Sequence, residues 1–163
     1  MESDLPKFSK KKLTPLVAQE KMKSWCAYRE RSQHEARQKL YEFGLYASDV
    51  ENIISNLIQE NFLNEERYAM SFARGKFRIK KWGKVKIKIE LKAQKVSDYC
   101  INKALKEIDP DEYFATLEQL IEKKFLQTKE PNAIKKYYKV LQYAVSRGYE
   151  KDMIGDILKA LEK

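Results

Sequence analysis

The sequence predicts an all-α protein: three tandem three-helix repeats forming a short curved helical rod. Three observations carry that prediction. Glycine and proline number only five and four while 35% of the residues are charged and 43% hydrophobic, a balance suited to helices with one buried face. Apolar residues recur at helical spacing between well-marked caps. Finally, Leu40 to Gly44, Leu91 to Lys95 and Ala144 to Gly148 occupy equivalent places at the end of each round's second helix, which sets a period of roughly 50 residues. Units this small must share cores with their neighbours to be stable.

Residues 1–13 carry Lys7, Lys10, Lys11 and Lys12 with no apolar period and are expected to form a basic flexible arm. The first repeat spans 14–61. Thr14 and Pro15 supply an N-cap and a proline at the first helical position, opening a helix to about Arg29 that partly buries Leu16, Ala18, Met22, Trp25, Cys26 and Tyr28. Ser32 and Glu35 read as a capping box for a helix through Leu40 and Phe43, which Gly44 ends in a left-handed conformation. Ser48 and Glu51 read as a second box, opening a helix with Val50, Ile53, Ile54, Leu57 and Ile58.

The second repeat spans 62–108. Asn64 caps a helix whose first turn holds Glu65 and Glu66, the sign that the helix dipole prefers there. The next segment is in local conflict, because Val85, Ile87, Ile89 and Leu91 alternate with Lys84, Lys86, Lys88 and Glu90 as in a half-buried strand. No partner strand lies nearby and the repeat places the segment in register with two helices, so helix is expected. A third helix follows from Ser97 to Ile108. The last repeat, 109–163, starts with Asp109 as cap, Pro110 at the first position, and Asp111 and Glu112 in the first turn. A helix around Ala133 to Ser146, a stop at Gly148 and a closing helix from about Glu150 complete it.

The net charge of +9 implies an anionic partner. The charge concentrates between residues 67 and 95, where Arg67, Arg74, Lys76, Arg78, Lys80, Lys81, Lys84, Lys86, Lys88, Lys92 and Lys95 face a single acid, Glu90. Read as helix, Arg67, Arg74, Arg78 and Lys81 share one face, and after the break at Trp82 and Gly83 a second stripe follows in Lys84, Lys88, Lys92 and Lys95. Such stripes bind phosphate or acidic side chains, or serve only solubility. Trp82 suits two roles, stacking on a partner or wedging between repeats. Arg29, Arg31, Arg37 and Lys39 form a further cluster, although Glu35 and Lys39 are also spaced to pair with each other.

Catalysis needs convergent groups, and none is found. There is no glycine-rich phosphate loop, H-E-x-x-H, C-x-x-C or nucleophile elbow, and His34 stands alone. Asp152 and Asp156 read as a solvated face. Cys26 and Cys100 are expected to be buried free thiols rather than a disulfide or metal pair. No enzyme, cofactor or metal is therefore expected. No apolar run is long enough to cross a bilayer and the N-terminus lacks the apolar core of a secretory signal, so a cytoplasmic protein without membrane contact is expected.

RERSQHEARQKLYEFG at 29–44, FLNEERYAMSFARGKFR at 62–78, KWG at 81–83 followed by Ile87, Glu90 and Leu91, and RGY at 147–149 together resemble the RecX proteins, regulators of the RecA recombinase. The resemblance covers residues 14 to about 161 and is most specific in the central repeat. Two positions depart from the family's pattern: Lys84 stands where proline commonly follows the W-G pair, and Lys95 where glycine commonly ends the second helix. The resemblance implies a non-enzymatic regulator of DNA repair, recombination and the SOS response that lies in the groove of recombinase filaments on single-stranded DNA. It implies lower strand exchange, ATP hydrolysis and co-protease activity through groove binding, capping or disassembly. The partners expected are the RecA-type filament and single-stranded DNA, with double-stranded DNA a further candidate, and the free protein is expected to be a monomer. With the stripes, the resemblance selects Arg67, Arg74, Lys76, Arg78, Lys80, Lys81, Trp82, Lys84, Lys88 and Lys92, extended by Arg29, Arg31 and Arg37, as the binding surface. The alternative is a nonspecific nucleic-acid-binding helical module that competes for single strands. A basic helical scaffold with no such role is a third reading.

Overall fold

Nine α-helices account for the regular structure among residues 12–162, the part of the chain described in the computed structural model. They are α1 Pro15–Tyr28, α2 Gln33–Glu42, α3 Ala47–Gln59, α4 Glu65–Lys80, α5 Lys84–Ala93, α6 Asp98–Lys106, α7 Pro110–Gln127, α8 Ala133–Ser146 and α9 Lys151–Leu161. The alternating segment at 84–91 is helical, as the repeat required. The expected arm at 1–13 lies outside the described residues except for Lys12 and Leu13, and the Leu13 amide donates to the Phe43 carbonyl at 3.1 Å.

Most starts follow from local side-chain chemistry. Thr14 accepts from the Val17 amide, Asn64 from Arg67, Asp109 from both Asp111 and Glu112, and Asn132 from Lys135. The Ser32 box closes in both directions, with the Glu35 amide donating to Ser32 Oγ at 3.0 Å and the Ser32 amide to Glu35 Oε2 at 2.9 Å. The second expected box does not form. Helix α3 begins at Ala47, with Tyr46 as its cap and no side-chain bond there, so Ser48 already lies inside the helix. Arg37 instead holds Glu51 with two bonds of 2.8 and 3.2 Å. On α1 the buried stripe is Ala18, Met22 and Cys26, a strict i, i+4, i+8 row. Leu16 and Tyr28 lie off that row and are 81% and 85% exposed, contrary to expectation.

The repeat is visible in atomic detail at the end of each second helix. Gly44, Lys95 and Gly148 take φ of +81°, +62° and +97°, and each is followed by a buried residue whose amide reaches back to the last core residue of the helix. Those bonds run from Leu45 to Leu40, Val96 to Leu91 and Tyr149 to Ala144, at 3.5, 3.2 and 3.3 Å. All three are the six-to-one bond of a Schellman turn. The departure at Lys95 therefore leaves the turn intact and places a side chain where glycine is free of strain.

Cα packing divides the chain after Tyr68 into two units. In the first, α1 and α2 pack on α3, and the core joins Ala18 and Met22 to Ala36 and Leu40 and to Ile54 and Leu57. In the second, α5 packs on α6, while α7, α8 and α9 pack on one another. Its fully buried side chains include Ile87, Leu91, Ile101, Leu117, Ile121 and Ile154. Each such residue contributes about 1.5–3 kcal/mol of burial, against the conformational entropy of ordering short helices.

The left-handed Lys95 generates a stability prediction. Lys95→Gly removes the contact between Cβ and backbone that disfavours positive φ, partly offset by the greater freedom of the unfolded chain, and should stabilise the protein by about 0.5–1 kcal/mol in urea unfolding. An unchanged or lower midpoint would show that the lysine side chain makes contacts that outweigh the strain.

Candidate partner-binding surface

The cations selected from sequence fall into two groups with different fates. In the first unit every one is engaged. Arg31 is 8% exposed; its guanidinium lies over the Trp25 ring at 4.1 Å and Nε donates to the Trp25 carbonyl at 3.2 Å. Burial, and next the neighbouring Arg29, pull its pKa below the ordinary arginine value. Arg29 donates to the Glu30 carbonyl and to Glu35 Oε1. Glu35, engaged by Arg29 and its own capping box, forms no pair with Lys39, which lies 3.9 Å from Glu42 instead. The Arg37–Glu51 hydrogen bonds raise the arginine pKa and depress that of the carboxylate.

Arg67 closes the α3–α4 turn. Its Nε donates to Glu30 Oε1 at 2.5 Å and Nη2 to the Asn61 carbonyl at 2.9 Å, while Nη1 reaches Asn61 Oδ1 at 3.3 Å. Asn61 itself is left-handed, with φ of +64°. The neighbouring Tyr68 is core, and burial pushes its phenol up to about 12.

In the second unit the cations divide again. Lys76 lies 5.4 Å from the Phe72 centroid and 4.9 Å from that of Trp82, and Lys86 approaches Trp82 from 4.5 Å. The half-buried indole is thus flanked by two ammonium groups. Lys84 sits 4.9 Å from the Tyr113 ring centroid, and Lys92 is 3.8 Å from Asp98. Arg74 and Arg78 rim a cleft of about 230 Å³ that also contains Glu107, Asp109 and Glu112. Arg74, Arg78, Lys80, Lys81 and Lys88 are exposed and form no ion pair among the described residues. They are the part of the predicted surface whose charge remains available.

The segment that carries these cations is fixed by a backbone crossing. The Gly83 amide donates to the Arg147 carbonyl at 2.8 Å and the Val85 amide to the Gly148 carbonyl at 3.0 Å. Helix α5 has no side-chain N-cap, so the end of α8 satisfies amides at its start. The Lys84 amide is met by the Tyr113 hydroxyl at 3.0 Å, and that hydroxyl donates to Glu150 Oε2 at 2.7 Å. Tyr149 donates to the Lys81 carbonyl at 2.8 Å, and Arg147 Nη2 donates to the Lys80 carbonyl. Phe77, Tyr113 and Tyr149 stack behind the crossing with centroids 5.7 and 5.2 Å apart. Burial holds the Tyr113 and Tyr149 phenols far above the ordinary tyrosine pKa.

Both glycines are required by approach. A Cβ on Gly83 would lie 2.2 Å from the Gly148 carbonyl oxygen, and one on Gly148 would lie 2.3 Å from the Lys86 Cβ. The K-W-G and R-G-Y triplets stand out in the sequence, but their direct pairing does not. Gly83 has φ of −78°, so no turn explains it; an interior glycine without a conformational reason is the signal for close backbone contact.

Comparison with known proteins points to one family. The family model for the second three-helix domain of RecX matches residues 64–105, and that for the third matches 111–158. The chain is 33% identical over 126 residues to the regulatory protein RecX of Vibrio campbellii, covering 77% of this chain and 79% of the relative. It is 32% identical over 133 residues to the regulatory protein RecX of Clostridium perfringens, covering 80% of this chain but 62% of that longer relative. The crystal structure of RecX from Lactobacillus salivarius superposes with a TM-score of 0.81 at 22% identity, over 91% of this chain and 96% of that one.

Two predictions follow from the crossing. Gly83→Ala places a methyl against backbone that cannot move aside, and should cost roughly 2–4 kcal/mol of stability in urea unfolding. Gly75→Ala, where an added Cβ meets nothing within 4 Å, should gain up to about 1 kcal/mol by helix propensity. Equal effects at both positions would mean that the crossing is not the constraint. Alkaline pH tests the buried phenols, whose raised folded pKa values keep their contribution intact below the unfolded value near pH 10. As pH rises beyond that point the unfolded chain loses protons that the fold retains, so stability should fall by about 1.4 kcal/mol per pH unit for each such tyrosine. Denaturation between pH 9 and 11.5, with tyrosinate absorbance read alongside, measures it; a flat profile through pH 11 contradicts the burial.

Proposed function

The chain belongs to the RecX family of regulatory proteins, and from that membership we propose that it binds the filament formed by a RecA-type recombinase on single-stranded DNA and inhibits it. Inhibition lowers strand exchange, ATP hydrolysis and co-protease activity through groove binding, capping or disassembly. The supporting observation is the set of exposed, unpaired cations on α4, α5 and their link, Arg74, Arg78, Lys80, Lys81 and Lys88. Charges already held by carboxylates inside the protein are poor ligands for a partner, because binding must first break the internal pair. These five need break none among the described residues.

In this reading the repeats at 14–61, 62–108 and 109–163 act as successive contact modules of a cytoplasmic monomer that has no catalytic step, metal or cofactor. No helix among the described residues is long and apolar enough to cross a membrane. The half-buried Trp82, flanked by two lysines, adds an aromatic surface beside the cations. The same chemistry also favours a second reading, in which the protein competes for bare single strands without engaging a recombinase.

The test is the single-strand-dependent ATPase of a RecA-type recombinase, titrated with the protein while anisotropy follows its binding to bare strands. Inhibition well below one regulator per recombinase, before bare strands are occupied, is expected. Inhibition that merely tracks strand saturation moves the assignment to the second reading. A variant carrying Arg78→Glu, Lys80→Glu and Lys88→Glu should keep its helical circular dichroism and lose inhibition by at least about tenfold, as expected when several charge-assisted contacts are reversed. Undiminished inhibition by this variant would remove α4 and α5 from the binding surface.

A further inference from the structure

A second concentration of positive charge lies in the third repeat and was not legible as a site in the sequence. Helices α7 and α8 border a cleft of about 430 Å³ in which Lys81, Lys123, Lys124 and Arg147 converge. They come from three places: the link after α4, the outer side of α7 and the C-cap of α8. The remaining wall is neutral, including Gln119, Gln127 and Tyr143, and contains no carboxylate. None of the four cations forms an ion pair among the described residues. Lys124 is poised 4.7 Å from the Tyr143 ring centroid.

Three features favour phosphate as the ligand. Arg147 Nε is buried and has no hydrogen-bond partner among the described protein atoms, while Nη2 of the same guanidinium is fixed on the Lys80 carbonyl. A held guanidinium with one unused buried donor, beside three ammonium groups, suits an oxyanion with several acceptor atoms. The carbonyls at the end of α8, which would repel an anion, are covered by the amides of Gly83 and Val85. The cleft also continues as a shallower trough that shares Lys124, Gln127 and Tyr143 and ends at Lys139, whose ammonium is held by Glu130 at 2.8 Å and so adds length to the trough but no open charge. Along α8 from Arg147 to Lys139 this extends about 12 Å, more than a single small anion needs.

We propose that the α7–α8 cleft is a phosphate-binding site for a nucleotide chain or nucleotide, with Arg147, Lys123, Lys124 and Lys81 as ligands. The site shares Lys81 with the cations of the filament reading, but it holds or fails without a recombinase. Its phosphate comes either from the backbone of a single strand or from a free nucleoside triphosphate, and the trough favours the strand.

The experiment uses the full chain and a short fluorescein-labelled oligothymidylate, followed by anisotropy at about 0.1 M salt, where long-range attraction is largely screened. Lys123→Glu should weaken binding by about tenfold, and Lys159→Glu, the same charge change on an exposed α9 residue outside the cleft, by less than about twofold. Lys123→Arg should restore binding. Equal weakening by the two reversals would overturn the site in favour of a general electrostatic field. Competition by nucleoside triphosphate at matched phosphate concentration assigns the free nucleotide as the source; displacement only by unlabelled strand assigns the backbone. Displacement by polyglutamate as effective as by strand would overturn phosphate selectivity. In the unmodified protein the Arg147 Nε–H resonance should shift on adding oligothymidylate, and an unmoved resonance at saturation would also overturn the assignment.

Discussion

The contact on which the second unit depends is the crossing of two backbones at Gly83 and Gly148. Helix α5 has ten residues, too few to be stable in isolation, and no side chain caps its start. Its leading amides are satisfied by the Arg147 and Gly148 carbonyls, so the positive end of α5 meets the negative end of α8. This requires the chains to approach more closely than any Cβ would permit. The two glycines are thus a matched pair, and Tyr113 completes the junction by accepting one more α5 amide and donating to Glu150. Remove the approach and α5 loses its start while α8 loses partners for its last carbonyls.

Most of the guanidinium groups serve the fold, while Arg74 and Arg78 stay exposed with the lysines. Arg29, Arg31, Arg37, Arg67 and Arg147 each make fixed hydrogen bonds within the protein, where a planar fork can serve two acceptors with little loss of freedom. The exposed lysines of α4 and α5 are instead solvated, compact charges on flexible stems. Counting cations along the sequence gives the net field but overstates the number available to a partner. Arg67, first in the predicted stripe, is a brace for the α3–α4 turn rather than an open charge.

Features determined by adjacent residues were legible without coordinates. The caps at Thr14, Ser32, Asn64 and Asp109 and the left-handed stops at Gly44 and Gly148 all depend on residues within one or two helical turns, so sequence spacing reports them directly. The same logic failed at Ser48 because a capping box is only permitted by its spacing; Arg37, fourteen residues away, had already claimed Glu51. The crossing and the α7–α8 cleft were illegible for a related reason. Both join segments distant in sequence, and on α7 a search for apolar periodicity passes over the polar row of Thr116, Lys123 and Gln127.

The crossing also bears on how the cations can bind. The Lys80 and Lys81 carbonyls are held by Arg147 and Tyr149, and Lys81 has φ of +58°, a conformation that an unsupported lysine rarely adopts. The backbone beneath these two side chains is therefore ordered before any ligand arrives. Binding then costs the freedom of the lysine stems but not that of the link, which leaves more of each charge-assisted contact as net affinity. A mobile loop with the same composition would carry the same charge and bind more weakly. The aromatic stack of Phe77, Tyr113 and Tyr149 would, in the proposed binding, act from inside the core by fixing the positions from which the charges project.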